Sequence, residues 1–179
     1  WIMKVSDNNL STYSNVFSEE KVNTNRKKET ANCIIAAKDE GYIAAGWAEE
    51  NGQKDIMLVK YDVNGMASWT KKFGGTNDDV CYEVHQTSDT GFVLAGYTTD
   101  STGDKNFYFI KTDSGGNKEW EKTYGTSTND VCNSVALCTD GGFLLGGHTI
   151  VGGYEKNYFM KTDYIGSMIM SKIDTSGVG

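Results

Sequence analysis

Acidic and amide side chains that could bind a cation follow short glycine turns at two places in the chain. Asp78 and Asp79 follow one turn, and Asn129 and Asp130 follow the next. Carboxylate and amide oxygens are the ligands that Ca²⁺ prefers, so these four residues are candidate calcium ligands. The alternative is structural, because an acid after a turn also accepts hydrogen bonds from the backbone N–H groups of that turn.

Cysteine chemistry is the second candidate, and the four cysteines are Cys33, Cys81, Cys132 and Cys138. The first three are predicted at equivalent positions of a repeat, where stacking would hold them beyond the Cα separation of about 7 Å that a disulfide allows. Cys132 and Cys138 lie on one predicted strand segment, about 20 Å apart. We therefore predict four free thiols in an apolar setting. No CxxC or HxxxH spacing supports a metal cluster.

Other residues that support catalysis do not form a recognisable site. His85 and His148 are the only histidines, and neither has a partner at metal or triad spacing. Gly74 and Gly75 do not begin a phosphate loop, because no Lys-Ser or Lys-Thr follows them. Serine and cysteine nucleophiles need a base within reach, and the sequence nominates none. We predict no catalytic residues and no cofactor beyond the candidate calcium.

The composition excludes two classes of partner. The formal net charge is −7 over 179 residues, whereas a nucleic-acid-binding protein needs clustered Lys and Arg. The longest basic run, residues 26–28, stands beside Glu29 and is typical of a solvated loop. No apolar run approaches the roughly 20 residues that span a bilayer, so no membrane span is predicted.

An internal repeat organises the whole chain. Residues 73–120 align with residues 124–170, and most glycine, aromatic and charged positions match. A repeat length near 50 residues indicates stacked supersecondary units. Each unit has four short strand patterns, of which the second is continuously apolar and is therefore central in its sheet. Thr30 and Ala31 are predicted to occupy the acidic position in the preceding unit, so a calcium site would not recur in every unit.

Three sets of residues recur once per unit and are predicted to serve the scaffold. A Lys and an Asp two residues later share one face of the third strand, which predicts an ion pair or backbone hydrogen bonds that tie one unit to the next. A Gly stands near the end of the second strand, and a Trp stands in the fourth. The residues are Lys60, Asp62, Lys111, Asp113, Lys161 and Asp163; Gly46, Gly96 and Gly147; and Trp69 and Trp120.

The turn before each second strand contains an Asp and a Gly, as in Asp89-Thr90-Gly91. We predict that the glycine supplies the positive φ that such a turn needs. Four antiparallel strands per unit, no helical period and no proline predict an all-β fold, specifically a β-propeller of four-stranded antiparallel blades. A β-sandwich is less favoured, because its strands are not copies of one another.

Residues 69–79, 89–97 and 111–113 resemble the repeats of β-propeller proteins that many bacteria and archaea secrete or anchor to lipid. The shared pattern is a Trp, an aromatic residue followed by Gly-Gly, an Asp, a DGGY-like turn and a final aliphatic-Lys-x-Asp. The resemblance covers nearly the whole chain. It implies the propeller fold and no particular chemistry.

A second, weaker resemblance is to the tryptophan-docking repeat of pyrroloquinoline-quinone dehydrogenases, written D-x-x-G-x-x-x-W. It implies that each Trp docks against the neighbouring blade, and it implies no cofactor. The three copies are Asp62, Gly65 and Trp69; Asp113, Gly116 and Trp120; and Asp163, Gly166 and Met170, where Met replaces the Trp.

We expect about three and a half blades, whereas propellers usually close with four to eight. Residues 1–17 would form the last two strands of an incomplete blade, 18–31 a loop insertion, and 174–179 a tail. Residues 32–73, 74–124 and 125–173 would form complete blades. The chain would thus be a partial ring, either a fragment of a longer polypeptide or half of a two-chain ring. We favour the fragment, because the sequence starts in mid-blade without Met.

The leading hypothesis for function is a non-catalytic module, outside the cell or on its surface, that binds a protein or glycan or serves in a structural assembly. Its further partners would be blades from the same or a second chain. One alternative is a fragment of a quinoprotein-like dehydrogenase. Another is a carbohydrate-binding or hydrolytic propeller, for which the loop aromatics Tyr97 and Tyr154 are the only indication. Free thiols fit reducing surroundings better than an oxidising exterior.

Overall fold

The computed structural model describes residues 28–175, and these form an all-β fold of twelve strands in three antiparallel four-stranded sheets. The first sheet contains β1 (Lys28–Ala36), β2 (Tyr42–Glu50), β3 (Gln53–Tyr61) and β4 (Ala67–Phe73). The second contains β5 (Asp79–Gln86), β6 (Phe92–Thr99), β7 (Lys105–Thr112) and β8 (Lys118–Tyr124). The third contains β9 (Asp130–Leu137), β10 (Phe143–Val151), β11 (Tyr154–Thr162) and β12 (Met168–Ile173).

Within every sheet the strands pair in the order of the chain, so each sheet is a simple meander. The continuously apolar strands β2 and β6 are central and buried on both faces, as the sequence predicts. The fourth strands lie at sheet edges, and in β4 and β8 exposed polar residues alternate with less exposed ones. The predicted all-β class and its four-stranded antiparallel units are therefore confirmed.

Successive sheets pack face to face. We call the face of a sheet that points to the next sheet in the chain its trailing face, and the opposite face its leading face. The core between the first and second sheets contains Ile43 and Leu58 from one side and Phe92 and Ile110 from the other. The core between the second and third sheets is built from matching positions, among them Phe109 and Phe143. Two equivalent joints therefore hold the three sheets together.

The unit boundaries differ from the predicted ones at one place. Residues 28–31, expected at the end of the loop insertion, belong to β1 because they pair with the long strand β2 as far as Lys28 opposite Glu49. The predicted half-blade at 1–17 and the rest of the 18–31 insertion lie outside the described residues. Of the predicted tail, Asp174 and Thr175 are described and residues 176–179 are not.

The recurrent glycine of the second strand is required by a bulge in the first strand. A Cβ atom placed on Gly46, Gly96 or Gly147 would lie 1.8, 1.8 or 1.9 Å from the carbonyl oxygen of Thr30, Val80 or Val131. The pairing register shifts at this point in all three sheets, which brings the backbone of the first strand across the glycine. The obstruction is backbone, so no side-chain rotation relieves it.

In the turn before each second strand, the last glycine does not have the positive φ that the sequence analysis predicted for it. The positive φ belongs to the preceding residue, which is Glu40 (66°), Thr90 (71°) or Gly141 (82°). The glycine is needed instead because the end of the third strand approaches it closely. On Gly91, a Cβ would lie 2.1 Å from the carbonyl oxygen of Thr112.

Candidate functional site

Asp79 and Asp130, the second residues of the two acidic pairs, accept hydrogen bonds from the turns that precede them. Asp79 Oδ2 accepts a hydrogen bond from the Gly75 amide at 2.8 Å, and Asp130 Oδ2 accepts one from the Thr126 amide at 2.6 Å. Both carboxyls are buried. Each therefore satisfies a backbone donor of the segment that connects two sheets.

Asp78 and Asn129, the first residues of the two pairs, bond the segment between two sheets to the preceding sheet. Asp78 Oδ1 accepts from the amide of Lys54 in β3, and Asn129 Oδ1 accepts from the amide of Lys105 in β7, both at 2.9 Å. A short acceptor side chain at this position completes the hydrogen bonding at the start of the third strand in the sheet before it. The role is the same in both units, although one acceptor is charged and the other is an amide.

Between residues 28 and 175 no group of three or more His, Cys, Asp or Glu side chains has an arrangement that could hold a metal ion. Asp79 and Asp130 have the turn-capping partners of the structural alternative, whereas Asp78 and Asn129 bond to the preceding sheet. Calcium binding stays a prediction. The first-unit counterpart of Asp79 and Asp130 is Glu29, which pairs opposite Ala48 as they pair opposite Thr98 and Thr149, and not Thr30 or Ala31.

Asp79 has an unusual environment for a carboxylate. Its Oδ1 atom is buried without a hydrogen-bond partner. Burial raises the pKa of Asp79; hydrogen bonds from the Thr98 side chain and the Gly75 amide oppose this shift, and the nearby charges of Asp55 and Asp78 add to it. Asp55 and Asp79 both lie beside Gly74. In the next unit Asn106 and Asp130 both lie beside the equivalent Gly125, so Asn106 takes the place of Asp55. Only the first joint thus has two carboxyl groups facing each other.

A cleft opens beside this cluster, and its volume is about 370 Å³. Its lining residues are Gly52, Gln53, Thr76, Asn77, Asp78, Thr99 and Lys105. The polar groups in it already bond within the protein: Gln53 Nε2 donates to the carbonyls of Gly75 and Asn77, and Asn77 Nδ2 donates to that of Asp100. The cleft is the outer side of a joint between sheets, with few donors left for a ligand.

The recurrent lysines do not pair with the aspartates two residues later; the predicted backbone hydrogen bonds do form, but within one unit. Lys60 Nζ lies 2.8 Å from Asp39, Lys111 Nζ lies 2.9 Å from Asp89, and Lys161 Nζ lies 2.8 Å from Asp140. Each partner is the Asp of the turn before the second strand of the same sheet. The ion pair therefore closes one unit and does not link two.

The lysines also donate to the carbonyl of the next residue, as Lys111 Nζ does to Thr112 at 2.8 Å. Although burial alone would raise it, hydrogen bonds from Thr87 and Lys111 lower the pKa of Asp89 to about 2. Asp62, Asp113 and Asp163 instead cap the turn that follows: Asp62 Oδ1 accepts from the amides of Asn64 and Met66. The sequence contains a clue to the correct pairing, because the turn aspartate recurs in every unit with its lysine.

The four cysteines are free, but only two of the first three are equivalent. Cys81 pairs opposite Gly96 and Cys132 opposite Gly147, whereas Cys33 pairs opposite Ala45. The bulge displaces Cys33 by one pair along the strand, and alignment on the cysteine conceals this shift. Burial raises the pKa of Cys132 to about 12 and also raises that of Cys81, so both thiols stay protonated at neutral pH.

The histidines and the two aromatics have separate polar or packing partners. His85 Nε2 is 3.2 Å from Glu83, and His148 Nδ1 is 3.3 Å from Asn133. Tyr97 is not a loop residue: it lies in β6, is only 5% exposed and packs against Val131 of the third sheet. Tyr154 begins β11 and is 68% exposed. Of the two aromatics that indicated the carbohydrate alternative, only Tyr154 is accessible.

The tryptophans dock between sheets, as the second resemblance implies. Trp69 in β4 packs edge-on against Phe92 of the next sheet, and Trp120 in β8 packs edge-on against Phe143. A Cβ on Gly116 would lie 2.7 Å from the Trp69 ring, and one on Gly166 would lie 2.9 Å from the Trp120 ring. Gly116 and Gly166 thus leave the space in which the indole of the preceding unit packs.

Sequence reasoning missed two contacts between sheets. The Asn32 side chain donates to the Cys81 carbonyl at 2.7 Å, and the Val135 amide donates to Glu83 at 2.6 Å. Asn32 and Glu83 lie at or beside the bulge of a first strand. Their partners are backbone atoms of another unit, so no spacing in the sequence marks them.

No protein-family model matches this chain, and the search of curated proteins finds no significantly similar sequence. Within residues 28–175 there is no helix of the length and hydrophobicity needed to cross a bilayer.

Proposed function

We propose that the three sheets are consecutive blades of a β-propeller. The observation that carries this proposal is the shape of the joints. Strands β1 and β5, and likewise β5 and β9, contact each other directly, so successive sheets converge at their first strands. Near these strands the joint is filled by small side chains such as Ala45 and Cys81, whereas Trp69 fills it beyond β3. A gap that widens from the first strand to the fourth is a wedge, and repeated wedges turn sheets about an axis.

We further propose that this module is non-catalytic and acts at or outside the cell surface, in binding or in structural assembly. The supporting observation is that the recurrent polar groups are occupied by the scaffold. Asp79 and Asp130 cap turns, the recurrent lysines pair with Asp39, Asp89 and Asp140, and the indoles seat on glycines. A binding surface would therefore be formed by residues that differ between units, notably those of the loops and the exposed Tyr154.

The two enzymatic alternatives have less support. A quinoprotein-like dehydrogenase is suggested by the tryptophan repeat alone, and packing against Gly116 and Gly166 accounts for that repeat. A carbohydrate-active propeller loses Tyr97, which is buried. Tyr154 remains as the exposed aromatic that could stack on a sugar ring.

The architecture is tested by an experimental structure of the purified protein. We expect the second sheet to be related to the third by the same rotation that relates the first to the second, about one common axis. Successive sheets related mainly by translation would contradict the propeller.

The function is tested by presenting the immobilised full chain to a glycan panel and by assaying it in solution on sugar, alcohol and peptide substrates. We expect binding without turnover. Loss of glycan binding in Tyr154→Ala, with retention in a Tyr164→Ala control that removes another exposed tyrosine, would locate the surface at β11. Turnover of any substrate class would overturn the non-catalytic proposal.

A further inference from the structure

The trailing face of the third sheet carries large apolar side chains in contact with solvent. Leu144 in β10 is 44% exposed, Phe159 in β11 is 44% exposed and Met170 in β12 is 58% exposed. The strand register places Leu144 and Met170 in one cross-strand row with Lys161, and Phe159 in the next row on the same face. Three large apolar side chains, one on each of three adjacent strands, are thus exposed on the same face around Lys161.

The same positions are covered in the sheet before it. The second-sheet counterparts of Leu144 and Phe159 are Val93 and Phe109, and both are fully buried. They are covered by the leading face of the third sheet, chiefly Phe143 and Tyr158.

The trailing face of the first sheet is covered in the same way. Ile43 and Leu58 are buried against the leading-face residues Phe92 and Tyr108 of the second sheet. The chain therefore builds this interface twice from equivalent residues.

We propose that the trailing face of the third sheet is a docking surface for a further four-stranded unit of this same repeat. The partner is defined by its leading face, which carries an aromatic residue at the start of the second strand and a tyrosine or similar side chain in the third. The inference deepens the proposed architecture but rests on the two observed joints and not on ring closure. Docking in a linear stack would contradict the propeller and still support this inference.

The first sheet of another copy of the chain does not fit this role. Its leading face is already buried, since Ala44, Val59 and Tyr61 are at most 2% exposed. A head-to-tail contact between two copies would have to uncover that face first. The partner is therefore a unit other than residues 28–73.

Met170 stands where the first two sheets have a tryptophan, so the contact of this face with the turn of a docked unit would differ. At the two observed joints the indole lies so close to the turn glycine of the next unit that a Cβ would clash with the ring, at 2.7 and 2.9 Å. Methionine is narrower and flexible, so its contact with that turn is less restrictive than that of an indole ring. Glycine is still favoured at the turn of the docked unit, because Gly116 and Gly166 have φ values of 74° and 77°.

The docking surface is tested by extending the full chain, with a second copy of residues 125–179 joined after Asp174. This keeps the native connection, because Asp174 matches Tyr124, which precedes residue 125 in the chain. We expect amide hydrogen exchange in β10 and β11 of the original third sheet to slow roughly tenfold or more, since docking removes local opening. Binding of the dye bis-ANS per chain should stay the same, because the appended copy exposes an identical trailing face in place of the one that it covers.

Two matched controls separate docking from a general effect of the extension. Phe143→Asp with Tyr158→Asp in the appended copy alone should abolish the protection. Phe159→Asp in the original third sheet should abolish it too, while leaving the unfolding midpoint of the unextended chain unchanged. Unchanged exchange in β10 and β11 of the extended chain would overturn the proposal. So would self-association of the unextended chain that Phe159→Asp removes, because a second copy would then occupy the face.

Discussion

At the scale of single residues, two neighbouring glycines in β10 illustrate how one position is dictated and the next is not. A Cβ on Gly147 would lie 1.9 Å from the carbonyl oxygen of Val131, but a Cβ on Gly146 would meet only the Phe159 ring, at 3.9 Å. The recurrence of Gly46, Gly96 and Gly147 thus reports a backbone contact. Gly146 is unconstrained because it points to the exposed trailing face.

We predict that Gly147→Ala destabilises the protein by about 3 kcal/mol or more, because the bulged first strand must move away. The control, Gly146→Ala, should be neutral or stabilise by about 0.5 kcal/mol, since alanine orders the strand better than glycine. Urea unfolding followed by circular dichroism measures both changes. Equal effects of the two substitutions would show that the bulge is not the constraint.

Asp79 is a buried carboxyl group with two further carboxyl groups nearby. We predict that Asp79→Asn raises the free energy of unfolding at pH 7 by about 1 kcal/mol, because the amide removes repulsion from Asp55 and Asp78 and keeps an acceptor for Gly75. Asp130→Asn should destabilise instead, since the neighbour of Asp130 is the uncharged Asn106 and the Thr126 hydroxyl donates to Asp130 at 3.2 Å. Chemical denaturation of both variants distinguishes them.

The stabilisation by Asp79→Asn should depend on pH. The folded pKa of Asp79 is raised above the ordinary value of 3.8, so the folded protein holds this proton more tightly than the unfolded chain. The contribution of this group to stability is therefore fully present below pH 4 and is lost as the pH rises through its folded pKa. The advantage of the variant should vanish near pH 4, and a constant difference between pH 4 and 7 would contradict this account.

At the scale of elements, an equivalent Lys–Asp ion pair holds the turn between the first and second strands in each of the three sheets. Its weak point is the residue with positive φ, which is a threonine in the second sheet (Thr90, 71°) and a glycine in the third (Gly141, 82°). A β-branched residue is strained in that region, whereas glycine is not. The second sheet thus tolerates a strained turn because the Lys111 ion pair and hydrogen bonds hold it.

We predict that Thr90→Gly stabilises the protein by about 0.5 to 1 kcal/mol, the relief of strain less the added freedom of the unfolded chain. The reciprocal change Gly141→Thr should destabilise by a similar amount. Thermal unfolding of both variants tests the pair. Destabilisation by Thr90→Gly would mean that the Thr90 side chain has a role beyond its backbone conformation.

At the scale of the whole molecule, the indoles decide how tightly successive sheets are joined. Trp120→Ala should cost about 3 kcal/mol, because it leaves a cavity between Phe109, Phe143 and the turn at Gly166. Met170→Ala, at the matching position of the third sheet, should change stability by less than about 0.5 kcal/mol, since that side chain is exposed. Hydrogen exchange should show the third sheet loosening in Trp120→Ala alone. Similar exchange in the two variants would contradict the wedge role of the tryptophan.

Much of the fold was predictable because its determinants are local and repeated. Apolar runs such as Phe92–Tyr97, bounded by turns at a spacing near 50 residues, specify strands, their order and their grouping in fours. The tryptophan-glycine repeat also predicted the docking of each indole on the next unit. Capping by Asp79 and Asp130 was available as the alternative to calcium, because the chemistry of a turn acid is local too.

What the tertiary structure alone decided concerns pairs brought together across strands and sheets. Lys60 and Asp62 were predicted to share a strand face, but β3 ends at Tyr61, and Lys60 pairs with Asp39 of the turn before β2. The bulge moved Cys33 out of line with Cys81, and it placed Glu29, not Thr30, at the position equivalent to Asp79 and Asp130. The sequence by itself determined the repeating unit, since alternation and turn chemistry act between neighbours. Packing decided which face is covered, because burial at Phe109 and exposure at Phe159 depend on whether another sheet follows.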